Sequence, residues 1–213
     1  MNVRDPKRAE ALAREFGGRA FVLPGDVTDP GAPETLVDQV LERFGRLDIL
    51  VNNAAYAHST RFDDLTADEW RRAIEVNLTA PFLLTKAVVP SMKERAYGRI
   101  VNISSLAGKT VSTLGGAHYT ASKAGLQGFT RAAARELGSF GITVNAICPG
   151  MIDTELTHEH ATREQLAALA ARFPIARLGT ATEVADLICF VASEAAGYIT
   201  GVSYDINGGD LML

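Results

Sequence analysis

The chain has 213 residues, 47% of them hydrophobic and 22% charged, with a formal net charge of −4. A chain of this size buries about 70% of its unfolded surface as a single domain, and this composition excludes general disorder. The basic residues are scattered among acids, which argues against a nucleic-acid partner, since phosphate neutralisation needs clustered Lys and Arg. No apolar run approaches the ~20 residues of a membrane span. The start, Met1 to Asp5, has no apolar signal stretch. Cys148 and Cys189 have no metal-ligand spacing and lie in apolar runs, so both are expected to be buried and inert. A cytoplasmic protein is expected.

Taken in chain order, Ala20 to Pro24 reads as a short buried strand followed by a turn over 25–30. Asp29 is placed to cap a helix with Pro30 at its first position. That helix runs to Phe44, with Leu36, Val37, Val40, Leu41 and Phe44 on one face. Leu47 to Val51 is a continuous apolar strand, expected to be covered on both faces. Thr66 and Glu69 form a capping-box pattern that opens a helix, and Pro81 starts a fresh one to about Arg95. Gly98 to Ile103 is a strand, His118 to Phe140 a long helix, and Ile142 to Cys148 a β-branched strand. Thr162 with Gln165 and Thr180 with Glu183 mark two more helix starts. Val202 to Ile206 is the last strand.

This alternation points to an α/β fold with a doubly wound parallel sheet. Such sheets bind ligands outside the carboxyl ends of their strands. Polar residues collect there: Asp26 after the first strand, Asn52 and Asn53 after the second, Ser104 and Ser105 after the third, Pro149 and Gly150 after the fourth. Tyr119 and Lys123, four apart, share one face at the start of the long helix. A free tyrosine has a pKa near 10. A neighbouring ammonium and a helix N-terminus both favour phenolate, so Tyr119 is expected to be lowered and to act as a proton carrier.

With these residues the sequence resembles the short-chain dehydrogenase/reductase family over nearly its whole length. Asp48 to Ala55 looks like the family's strand ending in N-N-A-G, with Ala55 in place of the glycine. Asn77 in Val76-Asn77-Leu78 resembles its helical asparagine, and Ile103 to Gly108 its serine-bearing strand end. Tyr119-Thr120-Ala121-Ser122-Lys123 matches Y-x-x-x-K. Pro149 to Thr154 is similar to the segment that closes on the nicotinamide, and Tyr198 to Gly209 to the family's tail, most like 3-oxoacyl-[acyl-carrier-protein] reductases.

The resemblance implies a Rossmann-like fold and hydride exchange between a nicotinamide and a carbonyl or secondary alcohol. Tyr119 would transfer the proton. Lys123 would lower its pKa and hold the nicotinamide ribose. Ser105 would hold the carbonyl oxygen, and Asn77 would position a water leading from Lys123. Asp26 and Val27 would contact the adenine side, Asn53 and Ala54 the adenosine ribose, and Ile152 and Thr154 the carboxamide. Arg4 lies where the family often reads the ribose. A basic residue there points to the 2′-phosphate of NADP, while Asp5 beside it keeps NAD open. The family habit implies a homo-oligomer, dimer or tetramer, through the helices 81–95 and 118–140. Loops 56–61, 106–114 and 151–173 would set the substrate, with Leu106, Val111, Leu114, Met151 and Leu156 making the pocket partly apolar.

Plainer roles stand beside these. Asp26 orders its turn, Asn52 satisfies backbone groups between strands, Asp48 is structural at a strand end, and so is Ser104. His118 points about 100° around the helix from Tyr119, which favours packing or a substrate contact. His158 and His160, flanking Glu159, diverge on a helix; a mobile lid is expected there and no metal.

The family's opening strand, T-G-x-x-x-G-x-G turn and helix find no counterpart. Gly17-Gly18 comes after a helical stretch, and Asn2 to Asp5 resembles the end of a second strand. An N-terminally incomplete domain is therefore expected, with apolar faces exposed beside the missing strand. The rival functions are a sugar or polyol dehydrogenase of the same family and a non-catalytic subunit. A serine hydrolase is excluded, because no G-x-S-x-G elbow surrounds Ser104 or Ser105.

Overall fold

The computed structural model describes residues 1–17, 19–112 and 115–212; Gly18, Leu114 and the side chains of Leu156 and His160 lie outside the described residues. In chain order the elements are β1 (Asn2–Val3), α1 (Pro6–Glu15), β2 (Leu23–Pro24), α2 (Ala32–Phe44), β3 (Ile49–Asn52), α3 (Ala67–Ile74), α4 (Ala80–Glu94), β4 (Gly98–Ile103), α5 (Ala117–Leu137), β5 (Ile142–Pro149), β6 (Ile152–Asp153), α6 (Glu155–His160), α7 (Arg163–Ala170), β7 (Gly179–Thr180), α8 (Ala181–Val191) and β8 (Ser203–Ile206).

The central sheet is parallel throughout, in the order β3-β4-β5-β8. Its register sets Leu50 beside Ile100 and Val51 beside Val101, so alternate residues serve opposite faces. On one face, Ile100, Ile142 and Val144 pack with Val37 of α2, Val88 and Met92 of α4, and Ala133, Ala134 and Leu137 of α5. On the other, Val101 and Ile147 pack with Val191 and Ala192 at the end of α8. Burying each such Val or Ile contributes roughly 1.5–3 kcal/mol. That burial fixes β4 and β5, and with them the loops that leave their carboxyl ends.

Two further pairs are small: β1 with β2, and β6 with β7. Among the described residues β3 pairs with β4 alone, and Ile49 and Val51 are 47% and 38% exposed. Both lie on the face that α8 covers farther along the sheet. The expectation that β3 is covered on both faces is therefore corrected. An exposed apolar face therefore runs along β3.

Other boundaries differ for local reasons. The first strand reduces to Leu23–Pro24, because its partner Asn2–Val3 offers only that much ladder. The next helix starts at Ala32, since Gly31 in the left-handed region (φ 77°) is its N-cap and the Asp29 amide is used by Asp26 O. Phe44 ends that helix exposed, edge-on to Phe21. There is no break before Pro81: α3 runs through a π-helical turn, Glu75–Thr79, into α4. The capping boxes at Thr162 and Thr180 are complete. At Thr66 only half forms, because the Glu69 carboxylate bonds the Thr60 hydroxyl instead. Cys148 is buried, but Cys189 is exposed on the outer side of α8. No helix among the described residues is long and apolar enough to cross a membrane.

Candidate active site

Parallel pairing brings the carboxyl ends of β3, β4 and β5 to one edge, and the N-terminal turn of α5 lies against it. The sequence Ser104-Ser105 leaves β4 and divides its work as expected. Ser104 is buried; its Oγ donates to Lys123 O (2.9 Å) and accepts from Gln127 Nε2 (3.2 Å), tying the strand end to α5. Ser105 is half-buried, and its Oγ accepts from the Ala107 amide (3.1 Å), closing a 3-10 turn over Leu106–Gly108. Its hydroxyl lies near enough to the Tyr119 phenol to favour the phenolate.

Tyr119 is the third residue of α5 and Lys123 stands one turn on, its Nζ 5.7 Å from the Tyr119 ring centroid. Lys123 is 1% exposed, and among the described residues its ammonium makes one hydrogen bond, Nζ to Ile103 O (2.8 Å). Burial pushes its pKa down to about 8, with a small opposing effect from Cys148. Burial also raises the Tyr119 phenol above its usual 10, against the lowering effect of the Ser105 hydroxyl. The expected lowering of Tyr119 is thus corrected: desolvation of the phenolate outweighs the hydroxyl of Ser105.

Asn77 lies in the π-turn, completely buried. Its Oδ1 accepts from Tyr56 N (2.7 Å), and its Nδ2 donates to Tyr56 O (2.9 Å) and Ser122 Oγ (2.9 Å). Ser122 in turn donates to Tyr119 O (2.8 Å). Both amide protons are therefore used in tying the strand-end loop to α5.

The residues expected to hold a cofactor fall into three groups. Asn53 and Ala54 are exposed directly after β3. Ile152 lies in β6, and half-buried Thr154 caps α6, its Oγ1 accepting from Thr157 N (3.4 Å). On the β1–β2 side, Arg4 is exposed, Asp5 caps α1 by accepting from Lys7 N, and Val27 is buried. Asp26 is more occupied than the sequence reveals. Its Oδ1 accepts from the Thr28 amide and hydroxyl, and its Oδ2 from Arg72 (2.8 Å). Burial works upward on this carboxyl, but the Thr28 and Arg72 bonds prevail and hold it at about 2.

Several contributors carry no signal in the sequence. Arg72 and Glu69 reach back from α3 to loops that have no motif for them. Lys109 bonds Asp205 (2.8 Å) and Ser203 O, strapping the turn after Ser105 to β8. Only Ser122 had a signal, being placed between Tyr119 and Lys123. Val111 turns outward and joins Phe62 and Trp70 around an apolar hollow. Asn52 donates to Asn102 Oδ1 (2.8 Å) rather than to backbone, and Asp48 takes a two-point bond from Arg46. His158 pairs with Asp153 (2.7 Å).

A family model described as enoyl-(acyl carrier protein) reductase matches residues 1–210. The 3-oxoacyl-[acyl-carrier-protein] reductase of Escherichia coli (strain K12) is 40% identical over 205 residues, spanning 96% of this chain and 83% of that protein. That of Salmonella typhimurium is 43% identical over the same shares. The chain belongs to the short-chain dehydrogenase/reductase family. A solved structure assigned as a gluconate dehydrogenase from Agrobacterium tumefaciens superposes with a TM-score of 0.92 at 32% identity, covering 99% of this chain and 85% of that one. The fold is accordingly Rossmann-like, and the chain is an oxidoreductase of this family.

Proposed function

We propose that this oxidoreductase reduces a ketone to a secondary alcohol, with a 3-oxoacyl group as the leading substrate class and NADP preferred to NAD. The observation that carries the reading is Lys123: a buried ammonium one turn from Tyr119, with three protons and, among the described residues, a single acceptor, Ile103 O. Such a group calls for further acceptors, and ribose hydroxyls fit that need. The nicotinamide half of the cofactor therefore suits the residues present. When bound, the nicotinamide supplies the hydride taken up by the carbonyl carbon. Tyr119 and Lys123 would hold its ribose, Ile152 and Thr154 its carboxamide, Asn53 and Ala54 the adenosine ribose, Asp26 and Val27 the adenine, and Arg4 the 2′-phosphate.

The Ser105 hydroxyl meets charge developing on the carbonyl oxygen. Tyr119 gives that oxygen its proton, and a phenol raised by burial stays protonated for this task across neutral pH. The Lys123 ammonium stabilises the phenolate left behind, and Asn77 holds the Tyr56 loop and, through Ser122, the backbone of Tyr119. In the reverse direction Tyr119 is the base.

The reductase relatives support the 3-oxoacyl reading, and the likeness to the gluconate dehydrogenase favours oxidation of a sugar acid as the second. The exposed apolar face of β3 supports the reading of one domain in which a further strand–turn–helix unit fits along that edge. Phe82 and Phe140, exposed on or next to α4 and α5, support a homo-oligomer through these helices, to be checked by light scattering. A cytoplasmic place is part of the same reading.

The test is a titration with NADPH and NADH followed by nicotinamide fluorescence, then a carbonyl panel and, in the oxidising direction, sugar acids. Tyr119→Phe is expected to lower turnover about 10²–10⁴-fold with cofactor affinity little changed. Full turnover in that variant would remove Tyr119 from the chemistry. A folded chain that binds neither nucleotide would favour the non-catalytic subunit.

A further inference from the structure

The N-terminal turn of α5 holds a second buried polar side chain, one the mechanism leaves unused. His118 is completely buried, and neither ring nitrogen has a hydrogen-bond partner among the described residues. Native proteins rarely leave buried polar atoms so, and its surroundings define a task. Its Nε2 lies 3.8 Å from Glu69 Oε1, beyond hydrogen-bond reach. That same oxygen accepts from the Thr60 hydroxyl. The Tyr56 ring packs at 6.2 Å from the imidazole and is itself stacked on His58 at 4.7 Å. Gly116 caps α5, and its amide donates to His58 O (3.0 Å). A side chain at Gly116 would put its Cβ 2.7 Å from His118 Cε1 and 2.8 Å from Thr60 O. The imidazole thus sits between the start of the Tyr119 helix and the segment 56–60, and Glu69 reaches both.

We infer that His118 and Glu69 are positioning residues that hold the Tyr56–Thr60 segment against the helix turn carrying Tyr119, and so set the width of the substrate site. This inference rests on the carbonyl reduction proposed above only for its kinetic consequence. The charged and titratable groups that face the imidazole are Glu69 from α3, and Tyr56 and His58 from the loop. Burial and His58 lower the His118 pKa, against Glu69, so the ring is neutral at pH 7. Protonation makes both ring nitrogens donors, and the ring then competes with Thr60 for Glu69 Oε1, releasing the segment at its Thr60 end.

The experiment measures amide hydrogen exchange on the full chain and on the variants His118→Phe and Glu69→Gln. Protection at the Gly116 and Tyr56 amides is expected to fall about tenfold in both variants, with protection of the β5 amides unchanged. In the unmodified chain, lowering the pH from 7 until the ring takes up its proton reproduces this local loss once intrinsic exchange is corrected for, and in His118→Phe it does not. On any carbonyl the chain turns over, both variants raise KM about tenfold and leave kcat within about twofold. Unchanged protection at Gly116 and Tyr56, or a loss spread equally into β5, overturns the inference, as does a fall in kcat at constant KM. Should no carbonyl be turned over, the proposed activity fails while the exchange data still decide the role of this pair.

Discussion

Replacing Lys123 by methionine is expected to make the fold more stable while removing activity. The ammonium is 1% exposed and lacks an ion-pair partner among the described residues, and its pKa falls from 10.5 to about 8 through burial. Each tenfold change in a protonation equilibrium is worth about 1.4 kcal/mol, so keeping this group charged at pH 7 costs the folded state about 3 kcal/mol. Methionine has similar bulk and no charge; losing the bond to Ile103 O returns about 1 kcal/mol. The net expectation at pH 7 is about 2 kcal/mol of added stability, or roughly 4–8 °C in melting temperature. The pH dependence comes from the direction of the shift. Below about 8 both states hold the proton and the penalty is complete. Between about 8 and 10.5 the unfolded chain keeps the proton while the folded chain releases it, so the stability of the unmodified chain rises with pH. By pH 10 the penalty is under about 1 kcal/mol, and the variant's advantage should vanish. Urea denaturation of both chains at pH 7 and pH 10 is the assay. A variant no more stable than the parent at pH 7, or a difference that does not change with pH, would refute the reasoning.

Arg99 should behave in the opposite way. It is 6% exposed, but its guanidinium serves Gly98 O, Gly141 O and Ser193 O and lies over Tyr97; Arg99→Met strands those carbonyls and is expected to cost about 2–3 kcal/mol by urea denaturation. Asp26, held at about 2, contributes stability that is present above about pH 4 and lost as pH falls through 2. Asp26→Asn is therefore expected to lower stability by roughly 1–2 kcal/mol at pH 6, with the gap closing by pH 2, in thermal melts at the two pH values. Gly108 packs on the backbone of Lys123, where an added Cβ would meet Lys123 O at 2.8 Å and the Gln127 amide closer still. Gly108→Ala should therefore shift the Ser105 turn, costing about 1–3 kcal/mol and at least about tenfold in kcat, read by calorimetry and steady-state kinetics.

The sheet and its ligand edge were legible because their signals are local and periodic. Gly98–Ile103 and Ile142–Pro149 are apolar, β-branched runs, and Tyr119 with Lys123 carries a helical spacing that survives folding. The features hidden in the sequence depend on partners far along the chain. Asp26 gains Arg72 from 46 residues away, and Asn77 gains Tyr56 and Ser122. Glu69 comes after Thr66 at capping-box spacing, yet Thr60 captures its carboxylate. The exposure of Ile49 and Val51 depends on which elements lie beside β3, which an apolar run does not record. The upward shift of Tyr119 depends on the degree of burial, and spacing carries no information about that.

The run from Ala67 to Glu94 acts like a camshaft. Three of its side chains engage two loops, Glu69 and Asn77 at the two ends of the Tyr56–Thr60 segment and Arg72 at Asp26 and Thr28, and the π-turn at Glu75–Thr79 sets the angle between Glu69 and Arg72 on one side and Asn77 on the other. Losing one residue from that turn would rotate Glu69 and Arg72 by about 100° and draw them in by about 1.5 Å relative to Asn77. The loops can accumulate substitutions singly, but the shaft tolerates no change of phase, and deletions within it should be purged whatever substrate the site comes to prefer.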